Sequence, residues 1–243
     1  MRRGVVAARL AVFGAILLAG LTGCVTRQVA PPAPGVTAAR PVPSPLLGRP
    51  FDVIAAKSRL ILLVYRAGPM AALGHDHVIA CRCLTGTVYL PGDPLHASFD
   101  LRLAVTRLTV DDPALRAAEH SPDFPPDVPR SARQGTRHNM LGAALLDAAA
   151  FPNITLRAEG LRQSSDGRPH DMLADVLVQT RGRARSITVP VRYDIEGDEI
   201  VITGEFLLKQ TDLGLTPFSA LGGALQVRDG MEVRLRLVAV RRG

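Results

Sequence analysis

Residues 74 to 83 read GHDHVIACRC, which puts His75, Asp76, His77, Cys81 and Cys83 within ten positions. Imidazoles and thiolates bind divalent metals, and paired thiols carry redox chemistry. A metal site would draw on His75, His77, Cys81 and Cys83, in the spacing H-x-H-x3-C-x-C. Structural zinc sites use wider pairs, C-x2–4-C with H-x3–5-H, so this spacing matches none of them. A redox pair meets a different obstacle. On a regular strand the Cα atoms of residues i and i+2 lie about 6.6 Å apart with parallel Cβ vectors. A disulfide needs its Cβ atoms about 3.8 Å apart. A bridge between Cys81 and Cys83 therefore requires a bulge or a turn, even in an oxidising compartment. The third reading is structural: Gly74 turns the chain, and His75, Asp76 and His77 make hydrogen bonds at the mouth of a cavity.

Other chemistry-bearing groups are few. Asp111 and Asp112 resemble a carboxylate pair, but they precede Pro113 and read as the N-cap of a short helix. Arg181, Arg183 and Arg185 would suit an anion, and equally a solvated hairpin tip. No Ser/His/Asp set or carboxylate pair has a recognised catalytic spacing, so no catalytic residue and no cofactor is assigned and a non-enzyme is expected. The net charge is +7, and losing Arg2, Arg3 and Arg9 with a leader takes it to +4. Arginines are scattered singly, and seven Phe, three Tyr and no Trp leave little to stack on bases. Nucleic acid is therefore excluded as a partner, and attraction to anionic lipid heads is the better use of the charge.

The elements that must position these groups begin after a leader. Arg2 and Arg3 precede an apolar run from Leu10 to Leu21, too short for a bilayer core of about 30 Å and suited to an export signal. The ending LTGC resembles the lipobox of bacterial lipoproteins. That implies a signal peptide over 1–23, cleavage before Cys24 and acyl chains on that residue. Two such chains anchor stably. Residues 24–49 carry the proline-rich tether VTRQVAPPAPGVTAARPVPSPLLGR. The expected address is the cell envelope, on the periplasmic side, lipid-anchored at the outer membrane. Residues 50–243 form one domain.

Within that domain, alternation dominates. Phe99, Leu101 and Leu103 alternate with Ser98, Asp100 and Arg102. Ile187, Val189, Val191, Tyr193 and Ile195 share a face, then Glu196–Asp198 turn the chain into a return strand with Ile200, Ile202, Phe206 and Leu208. Met231, Val233, Leu235 and Leu237 do the same near the end. Further strands fall at Arg59–Arg66, Cys83–Leu90, Ile154–Leu161 and Met172–Thr180. Pro190 lies on the polar side of its strand and marks an edge or a bulge. One short helix starts at DDPALRAAE; a second is expected over NMLGAALLDAAA, from Asn139 to before Phe151–Pro152. The fold class is thus all-β with two short helices: a closed antiparallel barrel of about eight strands, with an interior that is either packed or holds one small ligand.

From about Ser58 onward the chain resembles the YceI-like domain family. The resemblance is carried by VYRAGPMAALGHDHVI, LTVDDPALR, NMLGAALLDAAAFPNITLRAEGL, ITVPVRY and KQTDLGLTPFS. It departs where relatives carry a phenylalanine-rich phrase; this chain reads SPDFPPDVP, in a loop from Ser121 to Gly135 with Pro122, Pro125, Pro126 and Pro129. The resemblance implies a lipocalin-like, polyisoprenoid-binding barrel whose partner is an apolar small molecule: an isoprenoid, a quinone or a similar amphiphile. Its tail would lie against Phe99, Leu101, Leu103, Val189, Val191, Phe206, Leu208, Leu235 and Leu237.

Overall fold

The computed structural model describes residues 46–165, 168 and 170–243. The leader, Cys24 and most of the proline-rich stretch lie outside the described residues. Eight strands close a ring: β1 (Arg49–Val53), β4 (Leu84–Leu90), β5 (Ser98–Ala104), β7 (Asn153–Gln163), β8 (Asp171–Thr180), β9 (Arg183–Glu196), β10 (Glu199–Lys209) and β12 (Leu225–Arg241), which returns to β1. Every pairing is antiparallel, and the ring closes through the pairing of β12 with β1. The 17-residue β12 reaches beyond β1, and its first half pairs instead with β2 (Arg59–Ala67). From there the wall continues through β3 (His77–Cys81) to the two-residue β6 (Thr109–Val110). β11 (Ser219–Ala220) pairs with the start of β12.

The strand parity read from alternation holds. Phe99 to Leu103, Ile187 to Ile195, Ile200 to Leu208 and Met231 to Leu237 all present their apolar sets to the lumen. Pro190 sits where the sequence placed it, at an edge. β9 pairs with β10 only over Arg192–Glu196 and with β8 alone from there towards Arg183. Gly204 stands opposite this divergence, where a Cβ would come within 2.9 Å of the Pro190 carbonyl oxygen.

The helices are partly relocated. α1 (Pro113–Ala117) is capped by Asp112, whose Oδ1 accepts the N–H groups of Ala114 and Leu115. The second helix, α2, runs from Arg130 to Leu141 and not from Asn139 to Ala150. Its start follows Pro129, which ends the proline-rich loop and has a φ of −55° compatible with entering a helix. Gly142 ends it in extended backbone, and residues 142–150 then fold into turns closed by bonds such as Asp147 N–H to the Gly142 carbonyl. The apolar stretch expected to be a helix instead plugs the wall, with Leu146 and Ala148 buried in the largest core cluster.

Outside the β2–β3 wall lies a second layer. Phe124, between the prolines, packs on Leu63 and Val78 with Leu115 of α1 beside them.

Cys81 and Cys83 form a disulfide across the bend between β3 and β4, with Cα atoms 5.2 Å apart. The bend at Arg82 supplies the departure from strand geometry that the bridge requires. Because it closes a loop of only three residues, the chain-entropy relation assigns it about 1.6 kcal/mol. The Cys81→Ala/Cys83→Ala variant should therefore fold and lose about 1–2 kcal/mol in urea unfolding. A loss above 4 kcal/mol would show that the bridge does more than restrict the unfolded chain.

Candidate functional site

The ring encloses a cavity of about 640 Å³, in the range of small-molecule sites. A close-packed interior leaves few voids larger than a water molecule, so this lumen is not filled by its own side chains. All nine residues expected to touch a tail line it: Phe99, Leu101, Leu103, Val189, Val191, Phe206, Leu208, Leu235 and Leu237. Leu60, Leu62 and Val64 of β2 line it too, together with Met172, Ala174, Val176 and Val178 of β8. Across one end lies α2, which presents Ala132, Gly135, Thr136 and Asn139 to the lumen. Their spacing puts small and polar side chains on most of that face of the helix, with Met140 as its one large apolar member.

At the same end the polar groups gather. His75 and His77 line the lumen with ring centroids 4.5 Å apart, edge to face. Behind them stands Asp111, fully buried. Its Oδ1 accepts the Val78 N–H at 2.9 Å and Arg116 Nη1 at 2.6 Å; its Oδ2 lies 2.7 Å from His77 Nδ1. An ionised carboxylate only accepts, so His77 Nδ1–H is the donor in this contact. His75 Nε2 lies 3.7 Å from the same oxygen, beyond hydrogen-bond range, and is buried with no partner among the described residues.

Arg116 is likewise fully buried. It donates to the carbonyls of Asp76 and Pro125, each at 2.6 Å, and lies over the Phe124 ring. The proline-rich loop thus contributes a carbonyl and an aromatic face to this cation.

Asp76 departs from expectation. It does not join the histidines at the lumen. Alternation at the entry to β3 turns it outwards, where its Oδ1 accepts the Arg66 N–H at 2.7 Å. The four-ligand set His75, His77, Cys81 and Cys83 is not assembled either, because the two sulfurs are bonded to each other and offer no thiolate. The residues that approach an ion-binding geometry are His75, His77 and Asp111, with ligand atoms within 4.8 Å of one another. Arg116 already neutralises Asp111, so a divalent ion here would add uncompensated charge in an apolar setting.

Burial pushes the Asp111 carboxyl up, but the imidazoles of His75 and His77, the charge on His77 and the Val78 N–H more than offset it. They hold the group well below the usual carboxylate range. A carboxyl lowered in the folded state contributes stability above its unfolded value, near 3.9, and loses it as pH falls through the folded one. The midpoint of thermal unfolding should therefore drop as the pH is taken from 5 to 2.5. Part of that drop should be missing in Asp111→Asn, and identical pH profiles for the two proteins would refute the assignment.

Sequence reasoning read Asp111 as a possible cap and passed over Arg116. The available signal was DDPALR itself: only one of two adjacent aspartates can cap. The other takes a φ of 53°, a left-handed conformation that Asp tolerates better than most residues.

Comparison with known proteins agrees with this architecture. The model of the YceI-like domain matches residues 84–239. Among solved structures, BcnA of Burkholderia cenocepacia superposes with a TM-score of 0.53 at 15% identity, covering 78% of this chain and 100% of that one. A polyisoprenoid binding domain from Saccharophagus degradans, implicated in plant cell wall breakdown, gives 0.47 at 14% identity, over 79% and 98%. No curated protein matches the chain. With the matched segment running through the strands of the closed ring from β4 to β12, this chain belongs to the YceI-like domain family.

Proposed function

We propose that this protein is a non-catalytic carrier that holds a chain-like amphiphile, an isoprenoid lipid or a quinone, inside its barrel. The observation that carries this reading is the cavity of about 640 Å³ with an almost wholly aliphatic lining. Each 100 Å² of tail that leaves water there contributes about 2.5 kcal/mol, before the costs of association are met. The tail lies against the nine aliphatic and aromatic residues named above, and the polar head lies at His75 and His77. The YceI-like resemblance implies the same class of ligand. The leader and LTGC motif support a protein exported to the periplasmic side and held there, at the outer membrane, through lipidated Cys24.

Native mass spectrometry after gentle extraction tests the reading. A co-purifying apolar mass of a few hundred daltons, displaced by added polyprenol, is the expected result. A bare chain that takes up no polyprenol would remove the carrier reading. A stoichiometric metal ion lost in the His75→Ala/His77→Ala variant would replace it with a metalloprotein.

A further inference from the structure

The two ends of the barrel differ in charge, and β9 measures the difference along one strand. At its start, on the turn after β8, are Arg181, Arg183 and Arg185; at its far end the hairpin into β10 carries Asp194, Glu196, Asp198 and Glu199. Two of the four hairpin acids are answered by cations, Glu199 by Lys57 and Asp198 by Arg241, each at 2.7 Å, and Asp194 has His170 at 3.9 Å. The arginines at the other end are not. Among the described residues, Arg130, Arg181, Arg183 and Arg185 enter no salt bridge. Helix α2, at this same end, carries three arginines and no acid. The acids at this end are Asp127, exposed in the loop before α2, Asp147 in the turns after it, Asp212, exposed beside Gly214, and Asp229, held by Thr211 at 2.7 Å; none of them forms a salt bridge with these arginines among the described residues.

Apolar side chains stand out from the same end. Leu73 is 69% exposed and Leu221 65% exposed, on two loops joined by the Met70 N–H to Ala224 carbonyl bond of 2.9 Å. Leu73 also lines the lumen, so this greasy rim is continuous with the cavity. Exposed apolar residues exist at the hairpin end as well, at Leu47, Leu95 and Ile195, and Ile195 also lines the lumen; there Leu95 and Ile195 have Asp93, Asp194 and Glu196 beside them. Apolar side chains flanked by unpaired cations suit an interface with anionic lipid, where the arginines meet head groups and the leucines enter the acyl boundary.

We propose that the end bearing α2, Leu73 and Leu221 docks on an anionic bilayer surface, so that the lumen opens towards the lipid it loads from or delivers to. The lipid surface is a different contact from the acyl anchor expected at Cys24. The role of the docked end in lipid exchange rests on the carrier reading; the docking itself does not.

The test compares the full chain, its Arg130→Glu/Arg183→Glu/Arg185→Glu variant and a control, Arg49→Glu/Arg59→Glu/Arg236→Glu, with the same charge change away from that end. Each is sedimented with vesicles of phosphatidylcholine alone or with 30% phosphatidylglycerol. Since a surface arginine is worth about fivefold in partition to anionic membranes, the parent should bind the mixed vesicles at least tenfold more tightly than the neutral ones. The end variant should lose that preference, and the control should keep most of it. Equal binding by parent and end variant, or an equal loss in the control, overturns the proposal. A protein that prefers phosphatidylglycerol yet takes up no polyprenol would sink the carrier reading and leave docking standing. Circular dichroism of each variant confirms that the barrel is intact.

Discussion

Asp111→Asn is expected to cost about 3–5 kcal/mol of folding stability, the largest effect of any single substitution considered. The exchange keeps the shape of the side chain and its tolerance of a positive φ, so what it removes is the charge. Arg116, with no exposed surface, is then left as a buried cation with only carbonyl oxygens and the Phe124 ring as partners. Breaking a buried pair from one side carries this penalty, whereas replacing both members with apolar groups is often nearly neutral. Asp111→Asn/Arg116→Met should therefore recover more than half of the loss. Urea unfolding measures both. A single variant within 1 kcal/mol of the parent would show that the pair is incidental, and a double variant no better than the single would show that packing, not charge, is what was lost.

The second large effect is expected at Ala174→Trp. Ala174 is buried on β8, and its side chain faces the lumen beside Val189 of β9. Adding bulk to a well-packed core costs about 1–3 kcal/mol in strain, but here the indole enters open space. Melting should change by no more than a few degrees. Affinity for a long polyprenol should fall at least 30-fold, because the tail loses room along its length, while a ten-carbon isoprenoid should lose less than fivefold. Isothermal titration of both ligands against parent and variant decides it. Equal, small losses for both ligands would mean that the tail does not run past Ala174, and unchanged binding of the long ligand would place its site outside the lumen.

Much of this was legible in the chain before any coordinates. Alternating runs such as Phe99–Leu103 and Ile187–Ile195 have a period of two, and once one member of a run faces inwards every second residue must follow. The nine lumen residues were identifiable for that reason. Pro190 announced an edge because it has no N–H to give to a ladder. Asp112–Pro113 announced a helix start through local hydrogen bonding alone.

The misplaced helix fell where local signals conflict. Leu141, Leu145 and Ala148 have helical spacing, but Gly142 breaks the segment and the wall has room for turns there, so burial outweighed periodicity. Cys81 and Cys83 left the bridge undecided, since it depends on a bend at Arg82 that occurs only because β3 and β4 join different parts of the wall.

Local order along the chain therefore determined seven of the eight ring strands, their parity and the antiparallel class, because these follow from side-chain spacing over a few residues; the short β1 that closes the ring and the wall strand β3 went unread, and Arg59–Arg66 lies in the wall beside the ring. Whether the lumen stayed open, which aspartate served the histidines and where the charge accumulated were decided only in three dimensions. Asp111 meets His77 from 34 positions away and Asp76 meets Arg116 across 40. Contacts at such separations depend on how the ring closes, and no spacing rule within a single segment encodes that closure.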